Sequence, residues 1–586
     1  MFHLGNRLLV ASLLLAAWPA LAAVPAVDSI TASAVPQGGR IEIKGSGFGL
    51  PPGRQHGARV EIGGVAAATS RWADDRITAY ASEGIAAGAA TVRVINDDGA
   101  SNQVPITIDP APAATGDVAW TFVGDGAWVN HRPAIGPDGT LYLSDTHGYI
   151  YAIAPDGIVR WIRHGPTVGG HDDYWVGEGD EGPVAVGADG TVYVGINLLG
   201  PDSQLHAYAP DGTLRWIHSE ATRNISQGPT VGPDGNIYFG YHDEAGGLRI
   251  LAPDGTVLHA RHDRPLISSK TDFFGAEIAF GPSTPGGAID RFYLGTANPP
   301  EGQDAYGGLH AVELDSDLLW SVDGGSAKNV NGQQQHAPVA AASGTVFLAA
   351  RFMGESYGVH AFDVDGERLW KHVPSPSNVI TEVADGGTAV YVISNLDNLI
   401  ALDATSGSRL WDRDLLGKFE RGPVVHPSGE FLVAAGNLED ERAVLLSVDS
   451  SGSAGWEVEL PSPIDLVVRP SSRVRFTETG ERAYLTATLG TNDGHWALYA
   501  VNTPAMEETG TGGTGGTGGT GGTGGTGGTG NHVDGSANPN SGSGCSAASS
   551  TGGSAFTLLL ALGLFAMRRR LASQSRAFAL TKYLGK

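Results

Sequence analysis

Five residues stand two positions ahead of a proline at matching points of the chain: His131, Glu181, Gln227, His336 and Arg421. Imidazole, carboxylate, amide and guanidinium groups that recur at one register can be gathered into a ring. Such a ring could hold a small polar ligand through a few convergent hydrogen bonds. A second cluster lies in "GGHDDYWVGEGDEGP", where Asp172, Asp173, Tyr174 and Trp175 lead an acidic run through Glu178, Asp180 and Glu181. Carboxylates beside aromatic faces suit a sugar, a basic peptide or a cation. The spacings of zinc proteases, serine hydrolases and phosphate-binding loops are all missing.

Positioning those residues requires a repeating scaffold, and the chain repeats itself from about Gly116 to Thr503. One repeated slot is a strand ending in Trp, with Gly or a small residue four positions earlier. It falls at Trp120, Trp161, Trp216, Trp320, Trp370, Trp411 and Trp456, with His259 filling it once. A second slot reads "YIYAIA", "LHAYA", "LRILA", "LHAVE", "VHAFD", "LIALD", "VLLSV" and "LYAVN". A third runs from "GTLYL" to "RAYLT". Each of the three occurs eight times, which predicts an eight-bladed β-propeller of four-stranded blades. The first Trp strand, "DVAW", precedes all the others and the last set lacks one, so the N-terminal strand should complete the eighth blade.

The tryptophans are expected to pack between blades. The "PDG" stretches at Asp138, Asp156, Asp211, Asp234 and Asp254 are expected to be tight turns on one face, with Asp as turn former and not as calcium ligand. The opposite face should carry the long connections, 162–182, 295–308 and 321–337. Any binding site is expected there, with the five pre-proline residues at the channel mouth.

Residues 25–109 form a separate unit, in which "RIEIKGSGFG", "ARVEIGG" and "ATVRVIND" alternate apolar and polar residues between Gly, Pro and Asn turns. This predicts a small β-sandwich. The order "PQGGRIEIKGSGFG", "VEIGG", Trp72, "ITAY" and "GAATVRVINDDGASN" resembles the IPT/TIG immunoglobulin-like family, which implies a spacer or binding module. The fold class is therefore all-β, a sandwich followed by a propeller.

In the propeller, "ALDATSGSRLW" (residues 401–411) fits A-x-D-x-x-T-G-x-x-x-W with Ser406 in the Thr slot. This is similar to the repeat of the quinoprotein, or PQQ-like, propellers, and the resemblance spans residues 115–503. Catalytic members of that family imply a quinone clamped by a vicinal cysteine disulfide, with calcium held by Glu, Asn and Asp and an Asp base. This chain has one cysteine, Cys545. The resemblance therefore points towards the non-catalytic members, such as the outer-membrane assembly lipoproteins, which bind partner proteins.

The ends carry targeting signals. Residues 1–22 read as a secretory signal peptide. Residues 507–544 are a Gly/Thr-rich linker, "TGTGGTGGTGG" and onward, without core-forming residues. Residues 545–570 hold Cys545, Gly552, Gly553, a short apolar helix at 555–567 and the triplet Arg568, Arg569 and Arg570, before a basic tail at 571–586. This resembles tripartite C-terminal sorting signals of the GlyGly or myxobacterial type, which imply transient anchoring in the inner membrane and delivery to the cell surface or outer membrane, or secretion. A net charge of −25 disfavours nucleic acid as a partner. The sequence thus predicts an exported, surface-anchored propeller that binds a protein or polysaccharide. No cofactor is expected, with PQQ and calcium left open; the alternative is a quinone- or metal-dependent oxidoreductase or a carbohydrate-active enzyme of the propeller class.

Overall fold

In the computed structural model, the described residues are 24–503 apart from connecting segments, the longest being 165–183, 261–277, 296–306 and 326–337. The chain divides after Pro110 into two compact units.

The first unit is a sandwich of two sheets. One sheet orders Ala26–Ile30, Arg40–Ser46, Arg76–Tyr80 and Ala68–Trp72. The other orders Ala34–Pro36, Val104–Asp109, Gly88–Asn96, Arg59–Ile62 and Val65–Ala66. Period-two alternation places Ile41, Ile43, Ile77 and Ala79 of one sheet against Val60, Ile62, Val92, Val94, Ile106 and Ile108 of the other, all buried. Arg59 and Arg93 flank Glu61 on the outer side and hold its carboxyl below the usual range, against a burial that pushes it up.

The second unit has eight antiparallel sheets of four main strands each. Blades 1 to 7 cover residues 134–164, 185–221, 224–260, 279–325, 339–372, 380–414 and 418–459. First strands of neighbouring blades lie side by side, 134–135 by 185–186 and 339–340 by 380–385, so these strands are innermost and the Trp strands outermost. Blade 8 takes Val468–Pro470, Arg482–Leu489 and His495–Asn502 from the C-terminal side and its outer strand, Val118–Asp125, from the N-terminal side. That pairing runs from Val118↔Val501 to Asp125↔His495, as the displaced order of the repeats predicts.

Apolar clusters fill the seams between blades. Tyr142, Ile150 and Ala152 of blade 1 meet Val192, Val194 and Ile196 of blade 2. Val390, Val392 and Ile400 of blade 6 meet Phe347, Ala349 and Ala361 of blade 5. At the rim, six of the slot's Trp indoles cross to the next blade and donate their N–H to a carbonyl of that blade's last turn. Trp120 reaches Pro155, Trp161 Pro210, Trp216 Pro253, Trp320 Val364, Trp370 Ala404 and Trp411 Ser450, at 2.7–3.0 Å. The ring lies flat on the turn glycine. A Cβ on Gly407 would sit 2.5 Å from Trp370, and the φ of +67° at Gly407 is one that side chains resist. The 401–411 motif therefore carries both halves of a staple: Gly407 receives Trp370, and Trp411 engages Gly452.

All three expected loops begin later than predicted; Gly295 still belongs to the second strand of blade 4, opposite Leu309, and the third strand starts at Gly307. Ile162–His164 continue the outer strand of blade 1, since Tyr149 pairs with His164. Likewise Ser321–Gly325 extend the outer strand of blade 4, with Gly307 opposite Gly325. Main-chain pairing overrides the polar residues at these strand ends.

Candidate binding face

The turns joining strands one to two and three to four share one face of the propeller, and their aspartates are occupied. Asp138 accepts the Thr140 amide at 3.1 Å and is clamped by Arg160, which also reaches Thr140 at 2.6 Å. Asp189 and Arg215 repeat the arrangement at 2.7 Å. There, burial pushes the Asp189 carboxyl up, but hydrogen bonds from Thr191 and Arg215 outweigh it and bring it to about 2. Asp403 is held below its ordinary value chiefly by hydrogen bonds from Ser406. These carboxylates shape turns. Among the described residues, no three His, Cys, Asp or Glu side chains gather as a metal site.

The opposite face is formed by the connections from each outer strand to the next inner strand and from second strands to third. Most of these lie outside the described residues, among them Glu181, Gln227, His336, Asp172, Asp173, Tyr174 and Trp175. Cys545, Gly552, Gly553, Arg568, Arg569 and Arg570 are also outside them, as are residues 1–22, where a leader is expected, and the apolar stretch 555–567. Among the described residues no helix is long and apolar enough to cross a membrane.

Two of the five pre-proline positions are placed. Arg421 sits in the innermost strand of blade 7, Lys418–Val425, at a break in register on either side of it. His131 leads into the inner strand of blade 1 and is buried. Its Nε2 lies 2.8 Å from the Ser144 carbonyl and its Nδ1 3.1 Å from the Arg132 carbonyl. Burial lowers its pKa, against two carbonyls that favour the charged ring. The segment before it is drawn into blade 8. Ser471 Oγ donates to the Val129 carbonyl at 2.6 Å and Thr486 Oγ1 to the same oxygen at 3.1 Å. His131 thus belongs to a buried polar contact between the start of blade 1 and blade 8.

A further set of ionisable residues escaped the sequence reasoning, although its signal stands in the quoted third-strand slot. In register with His206, that slot holds Tyr151, His206, Arg249, His310, His360, Ile400, Leu446 and Tyr499 in blades 1 to 8. His206, Arg249, His310 and His360 are all buried. His206 lies 2.8 Å from Gln204 Oε1 and 3.0 Å from the Tyr208 hydroxyl, His310 2.8 Å from Ser321 Oγ, and His360 3.2 Å from the Ala350 carbonyl. Burial depresses His206 and His310 to about 4 and His360 to about 3. In blade 1, the Tyr151 hydroxyl instead donates to buried Asp145 at 2.7 Å, on the long-loop side.

Known proteins agree with this architecture. Residues 25–108 match the IPT/TIG domain, and residues 355–497 match the family described as outer membrane protein assembly factor BamB. A segment matching the IPT/TIG domain thus precedes a propeller whose residues 355–497 match the BamB family. No curated protein matches the sequence. Among solved structures, BamB from Moraxella catarrhalis is 14% identical, with a TM-score of 0.42, over 65% of this chain and 98% of its own. A europium-containing methanol dehydrogenase is 13% identical, with a TM-score of 0.43, over 66% of this chain and 93% of its own. The quinohemoprotein alcohol dehydrogenase of Comamonas testosteroni is 15% identical, with a TM-score of 0.42, over 67% of this chain and 77% of its own.

Proposed function

We propose that the protein is a binding scaffold of the cell envelope, exported and tethered through its C-terminal segment. Its BamB-like propeller would engage a protein or polysaccharide through the long-loop face. The observation that carries this reading is the asymmetry of the two faces. One is closed by short turns whose carboxylates are already hydrogen-bonded, while the long connections, with their acidic and aromatic residues, all belong to the other. The single cysteine supports the same reading, since a quinone clamp built on a cysteine pair cannot form in this chain. The match to the BamB family is in keeping with an envelope location.

The test is replacement of residues 165–183 by a short Gly/Ser linker in the full chain, followed by capture of partners from envelope extract and from cell-surface polysaccharide. Capture should be lost while the melting temperature is retained. Unchanged capture would remove this loop from the proposal. Oxidoreductase chemistry is the competing reading. It predicts that PQQ with calcium raises the melting temperature saturably, by about 2.7 kcal/mol of stability at a hundred times the dissociation constant.

A further inference from the structure

We propose that the inner wall of the ring at blades 7, 8 and 1 is a carboxylate-binding strip, and that its partner is an acidic polysaccharide built from uronic acid units. The inference rests on the reading of the long-loop face as a binding face and names the chemistry that enters there. Innermost strands of neighbouring blades lie side by side, as at blades 6, 7 and 8, and form this wall. In blades 2 to 5 those strands, Ala185–Val186, Thr230–Val231, Ala279–Pro282 and Val339–Ala340, hold no charged residue. Blade 6 holds Glu382 and Asp385. The cations are gathered on the remaining arc. Lys418 and Arg421, with Glu420 between them, lie in the strand of blade 7. Arg469 and Arg475 lie in the two inner segments of blade 8, and Arg132 stands two residues before the strand of blade 1. In a chain of net charge −25 this arc is a local reversal of sign, which draws anions to one side of the wall.

Arg469 is the centre of the strip. It stands opposite Thr488 in the second strand of blade 8. Thr486, two positions along, turns its hydroxyl to the carbonyls of Val129 and His131. Thr488 and Arg469 therefore share the side of the sheet that faces the start of blade 1. The Nε of Arg469 is buried without a hydrogen-bond partner, and among the described residues its guanidinium forms no ion pair. The Thr488 hydroxyl bonds no described neighbour either. A buried N–H left without an acceptor is costly, so this pair is a donor set in place before its ligand. Thr488 adjoins the connection from Leu489 to His495, at the long-loop end. Arg475 pairs with Tyr484 on the same side of the sheet, about 13 Å further towards the turn face. The cations of blade 8 thus run along the depth of the wall.

A carboxylate accepts two parallel N–H bonds from a guanidinium, and a hydroxyl beside it on a sugar ring can exchange a hydrogen bond with Thr488. A chain with one carboxylate per unit can meet Arg469 and then Arg475, whereas a compact anion reaches only one of them. The connection 165–183, which leads from blade 1 to blade 2, is rich in Asp and Glu. An acidic peptide would be repelled there. A uronic acid polymer instead presents hydroxyl donors to those carboxylates and its own carboxylates to the arginines, so one ligand satisfies both signs.

Calorimetric titration of the full chain with trigalacturonate tests this, with maltotriose, hexaglutamate and PQQ as comparators. Trigalacturonate should bind saturably and more weakly as salt is raised. Maltotriose should not bind, and hexaglutamate should bind at least about tenfold more weakly. R469Q should weaken trigalacturonate by more than about tenfold and T488V by about threefold, with melting temperatures unchanged. R215Q, on the turn face, should bind as the wild type does. No binding, binding unchanged in R469Q, equal affinity for hexaglutamate or maltotriose, or tighter binding of PQQ would each overturn the proposal. Should R469Q not fold, T488V and R469K decide it, since R469K keeps the charge but loses the paired N–H bonds. A wild type that ignores trigalacturonate yet loses partner capture on replacement of 165–183 sinks this inference and leaves the binding-face reading standing. Trigalacturonate bound through Arg469, with capture indifferent to that replacement, upholds the strip and removes the loop.

Discussion

The staple at Trp370 and Gly407 allows a quantitative test of how the ring coheres. Trp370 is only 9% exposed, stacks near Phe347 at 5.8 Å and donates to the Ala404 carbonyl at 3.0 Å. Removing such an indole typically costs about 3–5 kcal/mol through lost burial and the cavity left behind. Trp370→Ala is therefore expected to cost about 4 kcal/mol. Trp370→Phe keeps a ring but loses the hydrogen bond, and should cost about 1–2 kcal/mol. Gly407→Ala meets two penalties. The positive φ costs about 1 kcal/mol, and a Cβ at 2.5 Å from the indole displaces Trp370 at about 2 kcal/mol more. In the Trp370→Ala background only the φ penalty remains. The double-mutant cycle should then give a coupling of about 2 kcal/mol from urea unfolding midpoints. Additivity within about 0.5 kcal/mol would refute the claim that these residues act as one inter-blade contact.

The pH dependence of stability follows from the buried imidazoles. With folded values of about 4 for His206 and His310 and about 3 for His360, the unfolded chain takes up protons first as pH falls below about 6.5. Stability should fall from there towards pH 4 by about 3 kcal/mol per ring and be flat above pH 7, as melting temperatures across that range would show. A melting temperature that rises on acidification would contradict the buried neutral state. At the channel side, Ser471→Ala alone should cost about 1 kcal/mol because Thr486 still donates to Val129, whereas Ser471→Ala with Thr486→Val strands that carbonyl and should cost about 2–3 kcal/mol by chemical denaturation. Truncation to residues 111–586 should leave the propeller's melting intact, and truncation to 126–586 should abolish its cooperative transition by removing the outer strand of blade 8. Circular dichroism on heating distinguishes the two.

The repeating features were legible because their causes are local. A strand, an Asp-Gly turn and a Trp at fixed offsets identify a blade wherever they recur, and the displaced "DVAW" implies the closure through blade 8. The aspartates at 138 and 211 could be read as turn formers because the amides they accept from lie two residues away. The environment of His131 was not legible in the same way. Its position before Pro133 suggested a channel mouth, but the residues that fix the segment, Ser471 and Thr486, lie some 340 residues later and carry no mark of their partner. The histidine slot was visible in "LHAYA", "LHAVE" and "VHAFD", yet which face of a strand becomes a seam depends on the neighbouring blade. Exact strand ends depended on pairing partners, as at Ile162–His164.

The closure of blade 8 also has a mechanical consequence. The chain enters the propeller at Asp117 and leaves it at Asn502, and these two residues are hydrogen-bonded, with the Asn502 amide on the Asp117 carbonyl at 2.8 Å. Val118 pairs with Val501 at the same end of the two strands. A load pulling residues before Asp117 away from residues after Asn502 would not travel around the ring. It would act on this one pair of strands, peeling their hydrogen bonds apart one at a time instead of shearing them together. The seven other blades, however well stapled, would bear none of the tension until that pair had separated. Against such a force the propeller would be a latch held by its final strand.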